Sequence, residues 1–172
     1  GVKGISTDKP IAATLAAADA MVEVCRERGA ILSGGALMRA LPEAQEAAGW
    51  LRAGTYGEIT GASVHGWSGE ISGSGCHTIS VLRLFPNAEV EEVTAWAEPE
   101  DLLQSDCDWQ IAFDAHFKLS NGLQCPAFGK PTEGAAMVEI LTETSRIKAG
   151  WTVPEIYQGF DANGHRIKQE VR

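Results

Sequence analysis

Lysine and arginine are scarce in this sequence, where 14 basic residues face 23 acidic ones for a net charge of -9. A chain so acidic repels phosphate backbones and anionic lipid headgroups, so neither nucleic acid nor a membrane surface is expected as a partner. Long apolar runs are missing too. No stretch approaches the roughly 20 apolar residues that a membrane-spanning helix requires. Gly1-Val2-Lys3-Gly4-Ile5 does not begin a charged region followed by a long apolar one. A cytoplasmic location is the expectation. Cysteine is sparse and scattered: Cys25, Cys76, Cys107 and Cys125 form no C-x-x-C pair and lack the close spacing of a disulfide framework or a zinc ribbon. Reduced, structural thiols follow. There is no internal repeat and no low-complexity linker.

What is present suits a globular protein. The chain has 172 residues, 44% of them hydrophobic and 22% charged, enough for a core of its own. From Thr14 to Gly29, apolar Leu15, Ala18, Met21, Val22 and Cys25 recur at helical spacing opposite Asp19, Glu23, Arg26 and Glu27. Thr14 can cap this helix and Gly29 can end it. Short runs with strand character flank it, Val2 to Ser6 before and Ala30 to Ser33 after, the second closed by Gly34-Gly35. The spacing predicts another helix over Pro42 to Ala53, with Pro42 suited to its first turn, Ala44, Ala47, Ala48 and Leu51 on one face and Gly54 just beyond. Strands are expected over Glu58–Trp67, Glu89–Glu98, Asp108–Leu119, Leu123–Phe128, Ala136–Leu141 and Arg146–Trp151, with further strand character in Thr152–Val171. Asn121-Gly122 marks a hairpin, and His77 to Phe85 reads as a short helix behind a glycine-rich turn. One strand-helix-strand piece followed by many antiparallel strands, read as a meander, predicts an α+β fold. Its open, mainly antiparallel sheet would carry helices on one face.

Three features can carry chemistry. The first is Asp8-Lys9-Pro10 after a short strand, where a lysine beside an acid and before a direction-fixing proline can place an ammonium at the carboxyl edge of a sheet. There it can polarise a hydroxyl or carbonyl oxygen; the competing reading is a solvated surface lysine. The second is Gly73-Ser74-Gly75-Cys76-His77. Gly69, Gly73 and Gly75 permit tight turns and close approach of a ligand, and a helix N-terminus favours the neutral imidazole that can serve as a base. Here the competing reading is a structural loop-to-helix junction with His77 packed in place. The third is Met38-Arg39-Ala40-Leu41-Pro42. His65 and His116 lie in strands and His165 beside a turn, which makes them weaker candidates. A zinc site of Cys76, His77, Cys107 and Cys125 would need ligands at adjacent positions, which suits a tetrahedral centre poorly, so no metal is expected. A nucleophilic Cys76 activated by His77 meets the same objection, since adjacent side chains rarely point together.

Taken in order, Lys3-Gly4-Ile5-Ser6-Thr7-Asp8-Lys9-Pro10-Ile11-Ala12, the helix Leu15 to Arg28, the Arg39–Pro42 region, Leu51-Arg52-Ala53-Gly54 with Gly57-Glu58-Ile59, and Gly73 to Leu84 resemble the glucose-fructose oxidoreductase, inositol dehydrogenase and rhizopine-catabolism family. The resemblance covers about the first half of the chain. It implies a nicotinamide-dependent oxidoreductase acting on a sugar, polyol or related hydroxy compound. Lys9 and His77 would be catalytic, and Asp8, Lys9 and Pro10 would meet the cofactor. Arg39 and Ser80 would contact the carbohydrate-like substrate, and the open sheet would form a homo-oligomer. Two positions depart from the family's pattern: Ser80 stands three places after His77, where an acid is usual, and Gly73 stands four places before it, where an acid is frequent. Asp8 replaces the usual glutamate.

No G-x-G-x-x-G turn occurs anywhere in the chain, so no helix N-terminus is prepared for a pyrophosphate. The expectation is therefore residues 1–35 as the remnant of a dinucleotide-binding Rossmann domain and 36–172 as the substrate-binding and oligomerisation domain. NAD or NADP would belong to the full-length parent, this chain alone being inactive and binding neither. The alternative is a non-enzymatic binding or dimerisation domain that retains the family sheet.

Overall fold

A computed structural model of the chain describes residues 1–66, 73, 75–97, 113–129 and 136–169. The chain divides into two compact units, Gly1–Leu37 and Met38–Arg172.

In the first unit, β1 (Gly4–Ser6) and β2 (Ile31–Ser33) pair in parallel, Gly4 opposite Ile31 and Ser6 opposite Ser33, joined through helix α1 (Leu15–Glu27). The Thr14 side chain accepts from the Ala17 backbone N–H at 3.2 Å and so satisfies a donor the first turn leaves open. Gly29, at φ +63°, turns the chain out of the helix into β2. The stripe read from the sequence buries only Cys25, while Leu15 and Val22 on α1, and Ile5 and Ile31 on the strands, remain exposed.

The second unit opens within a single helical turn, α2 (Leu37–Ala40). Helix α3 (Pro42–Arg52) begins on Pro42, whose missing N–H costs nothing in a first turn, and buries Ala44, Ala47, Ala48 and Leu51. Next come β3 (Ile59–His65) and α4 (Cys76–Leu84), then β4 (Val90–Ala97), β5 (Phe113–Leu119), β6 (Gln124–Phe128), β7 (Met137–Thr142), β8 (Ser145–Ala149), β9 (Glu155–Phe160) and β10 (Arg166–Gln169). Among the described residues these strands form one sheet in the order β10-β9-β8-β7-β3-β6-β5-β4. The predicted ends at Trp67, Glu98 and Asp108, together with Cys107, Trp109 and Gly69, lie outside the described residues.

The architecture is α+β with a large, mainly antiparallel sheet, but the strands do not run as one meander. β3 stands between β7 and β6 and pairs with β6 in parallel, Val64 opposite Ala127 and His65 opposite Phe128. The cause is α4: it follows β3, and β4 re-enters at the far edge of the sheet. The antiparallel run β4-β5-β6 then returns beside β3 in β3's own direction. Antiparallel hairpins β7-β8-β9-β10 extend the other side.

Alternation along the strands sends one face inward. Val64, Phe117, Cys125, Val138, Ile140, Ile147 and Ile156 face α3 and α4, which add Ala47, Ala48, Val81 and Leu82, with Phe85 just after α4, to one core. Fully burying each large member is worth roughly 1.5–3 kcal/mol. At one edge of the core two polar side chains pair: Thr142 Oγ1 and Ser145 Oγ lie 2.9 Å apart, and Thr142 Oγ1 also accepts from the Ser145 backbone N–H at 2.9 Å. At the predicted hairpin, Asn121 Oδ1 accepts from Leu123 N–H at 3.1 Å and Gly122 takes φ +85°. The opposite face of the sheet is open and carries Trp96, Phe128 and Leu141 exposed among charged side chains.

Candidate functional site

Asp8, Lys9 and Pro10 belong to the first unit, immediately after β1 and so at the carboxyl end of a parallel strand pair, where open α/β sheets bind their ligands. Thr7 continues the ladder by donating its N–H to Ser33 C=O at 2.9 Å. Gly34 lies close behind: a β-carbon there would meet Thr7 Cγ2 at 2.8 Å, so the residue leading into Asp8 is packed against a position that needs glycine. Asp8 Oδ1 accepts from the Lys9 backbone N–H at 2.8 Å. The carboxylate thus shapes the turn that carries Lys9. The Lys9–Pro10 peptide is cis, and Lys9 is half-buried.

The other predicted residues belong to the second unit. Arg39 sits in α2, where its carbonyl accepts from Gln45 Nε2 at 2.7 Å and ties that turn to the start of α3. His77 occupies the first turn of α4, capped by Gly75, and is only 3% exposed. Ser80, three residues on, lies on the neighbouring part of the same helical face, half-buried. Cys76, the alternative nucleophile, directs its thiol toward the Gly73 carbonyl at 3.8 Å. Cys125 lies inside the core on β6, where burial pushes its thiol up to about 12. No group of three or more potential metal ligands is found among the described residues.

Trp151, which sequence reasoning took only as the end of a strand, proves to be the neighbour of His77. The two ring centroids are 4.6 Å apart at 64°, an edge-to-face contact, and Trp151 remains 46% exposed where His77 is buried. Gly150 makes this placement possible, since a β-carbon there would come within 2.8 Å of the Ala136 carbonyl. The one sequence signal was a glycine before an aromatic at a strand end, which is too common to select it. Beside Trp151 lies a cavity of about 190 Å³, also walled by Met137, Lys148, Thr152 and Glu155. The Glu155 carboxyl is held below the usual carboxylate range, first by the hydrogen bond it accepts from Lys168 and then by one from Tyr157.

The remaining histidines are placed otherwise. His65 shares a 2.8 Å hydrogen bond with Ser63 and stacks on Phe128 at 5.5 Å on the open sheet face. His116 pairs between Thr94 and Pro126, and His165 lies 3.6 Å from Asp161 beside the last hairpin. A larger cleft of about 530 Å³, bordered by Arg52, Glu58, Asn121 and Gly122, opens at the end of β3 away from His65 and holds none of the predicted residues.

No protein-family model and no curated protein sequence matches the chain significantly. Solved structures do. An aldose-aldose oxidoreductase from Caulobacter crescentus, crystallised with glycerol, matches 98% of this chain and 56% of its own, with a TM-score of 0.76 at 14% identity. An NAD binding oxidoreductase from Klebsiella pneumoniae matches 97% of this chain and 53% of its own, with a TM-score of 0.70 at 18% identity. The chain has the fold of these oxidoreductases. Gal80p from Saccharomyces cerevisiae, solved as a super-repressor mutant, shares it at a TM-score of 0.73 and 16% identity over 97% of this chain and 53% of its own. The chain spans about half the length of the structures it matches. No helix among the described residues is long and apolar enough to cross a membrane.

Proposed function

We propose that this chain is the substrate-side part of an NAD- or NADP-dependent oxidoreductase acting on a sugar, polyol or related hydroxy compound. The observation that carries the reading is the position of Lys9: it lies in the turn just past the carboxyl end of a parallel strand pair, a unit that leaves Ile5, Ile31, Leu15 and Val22 exposed. Parallel sheets are stable with both faces covered, so such a unit suits the margin of a larger parallel sheet, with its ligand at the carboxyl ends of the strands. The structures sharing the fold include an NAD binding oxidoreductase and an aldose-aldose oxidoreductase, which supports the same assignment.

In this reading Lys9 donates a hydrogen bond to the substrate oxygen, and His77 takes the hydroxyl proton as the alcohol is oxidised and returns it on reduction. Asp8 and Pro10 set the turn that presents Lys9 beside the nicotinamide, and Arg39 and Ser80 contact the substrate. The nicotinamide, when bound, accepts or gives the hydride. A cation at the carboxyl end of a parallel strand suits the substrate oxygen on which negative charge develops. The pyrophosphate has no glycine-rich turn here, so NAD or NADP is held through residues outside this sequence, and the chain alone neither binds it nor turns over. In the complete protein, Lys9→Ala should lower hydride transfer roughly 100-fold or more with the fold retained, followed as nicotinamide absorbance. Unchanged turnover would remove Lys9 from the mechanism.

One observation favours a second reading, a non-enzymatic binding or dimerisation domain. Gal80p, solved as a super-repressor mutant, shares the fold, and the open sheet face exposes Trp96, Phe128 and Leu141. A second copy pairing through that face would be a dimer in sedimentation equilibrium and a monomer once Phe128→Glu is introduced. A monomeric unmodified chain would exclude the pairing.

A further inference from the structure

Trp151 is in contact with the proposed acid/base, and its exposure invites a role of its own. Resting on the oxidoreductase reading above, we propose that Trp151 is a specificity-determining platform on which the ring or carbon chain of a small polyhydroxylated ligand stacks, next to His77.

Four observations converge on the indole. Its edge-to-face contact with His77 fixes one side of the ring at 4.6 Å between centroids. The pair is asymmetric in exposure, 3% for His77 against 46% for Trp151, so the face available to a ligand belongs to the indole. The backbone is shaped for it, because Gly150 leaves no room for a β-carbon beside the Ala136 carbonyl and so draws the end of β8 against the start of β7. Finally, the same indole walls a cavity of about 190 Å³ whose other sides carry Met137, Lys148, Thr152 and Glu155.

The chemistry of those walls selects the ligand class. The volume is below the ~300–1,000 Å³ of sites for drug-sized molecules, so it suits one small ring or a short chain. An aromatic face attracts C–H groups carrying partial positive charge, while an ammonium, a hydroxyl and a carboxylate offer donors and acceptors to hydroxyls around the rim. A ligand with an apolar C–H face and a polar edge satisfies both, and polyols and monosaccharides have that shape. Glu155 stays ionised under its bonds from Lys168 and Tyr157 and is therefore an acceptor, which disfavours an anionic ligand. Trp151 does not exchange protons or hydride; it is a positioning residue.

The experiment titrates the 172-residue chain with myo-inositol and with D-glucose, following the indole N–H resonances by NMR, the Trp151 signal being assigned by its loss in Trp151→Phe. Binding of at least one probe with a shift at the Trp151 indole is expected. Trp151→Phe, which keeps an aromatic face, should bind within a few-fold of the unmodified chain, and Trp151→Leu, which keeps bulk without the face, should bind roughly tenfold more weakly. A structural role alone would not separate Phe from Leu in this way. Binding with equal affinity in all three chains overturns the platform and leaves the oxidoreductase reading standing. Absence of binding by either probe also overturns the platform, whereas the oxidoreductase reading fails only if Lys9→Ala leaves hydride transfer unchanged in the complete protein.

Discussion

Cys125 and Cys76 show how position separates two residues of one type. Cys125 projects from β6 into the core, and burial pushes its thiol up to about 12, whereas Cys76 is half-buried in the first turn of α4. Iodoacetamide at pH 8 should therefore modify Cys76 in the native protein and leave Cys125 untouched until denaturant is added, as read by peptide mass spectrometry. The sign of the pH effect follows. A thiol whose pKa is raised by folding keeps its proton in the native state after the unfolded chain has lost it. Its contribution to stability is whole below the ordinary value of 9.0 and declines as pH rises from there toward about 12. In the same core Ile140 is 0% exposed, and Ile140→Ala should cost about 2–5 kcal/mol in urea unfolding. At this scale Lys9 and His77 were singled out as candidates because each belongs to a local motif of turn, glycine or helix start. Trp151 was not. Its importance is a contact with a helix from a distant part of the chain, and no local pattern encodes such a contact.

Elements were legible where their ends carry their own chemistry. Thr14 before α1, Pro42 at the start of α3 and Asn121-Gly122 between β5 and β6 each satisfy or remove a backbone group locally, and the structure places the boundaries beside them. Gly122 at φ +85° is the sharpest case, since a β-carbon there clashes with the neighbouring carbonyl. Gly122→Ala should cost about 1–2 kcal/mol in thermal or urea unfolding, with the sheet retained by circular dichroism. Strands β9 and β10 are linked through Glu155, which accepts from Lys168 on β10 and from Tyr157 on its own strand. Its pKa is depressed in the fold, chiefly by Lys168, so its contribution is present above the usual carboxylate range and is lost as pH falls through the folded value. Glu155→Gln should flatten the loss of stability between neutral and acidic pH, measured by urea midpoints; an unchanged slope would contradict the linkage. Helix α2 was missed because one helical turn is too short to set up a period.

For the whole molecule, the distribution of the core decides what can stand alone. Every member of the buried hydrophobic cluster lies at Met38 or beyond, while the unit Gly1–Leu37 buries one hydrophobic side chain, Cys25. A two-stranded sheet with so little apolar cover is not independently stable. A chain of residues 38–172 should therefore unfold cooperatively, as the parent does, and a peptide of residues 1–37 should show no cooperative transition by circular dichroism. Failure of 38–172 to fold would mean that the first unit supplies stability its burial does not reveal. The strand order belongs to this scale as well. That β3 would stand between β7 and β6 could not be read from periodicity, which reports which face a residue presents and not which strand lies beside it.

Composition and pattern alone determined that the chain forms an α+β domain with a largely antiparallel sheet, because hydrophobic period and turn chemistry are local and each element carries its own. They also brought Asp8-Lys9-Pro10 and His77 forward as candidates. Tertiary structure alone decided that β3 pairs in parallel at the centre of the sheet, that Asp8 bonds the Lys9 backbone, and that Trp151 lies against His77. Each of these depends on which distant segments pack together, and that is settled by the burial of one shared core and not by any residue's neighbours in sequence.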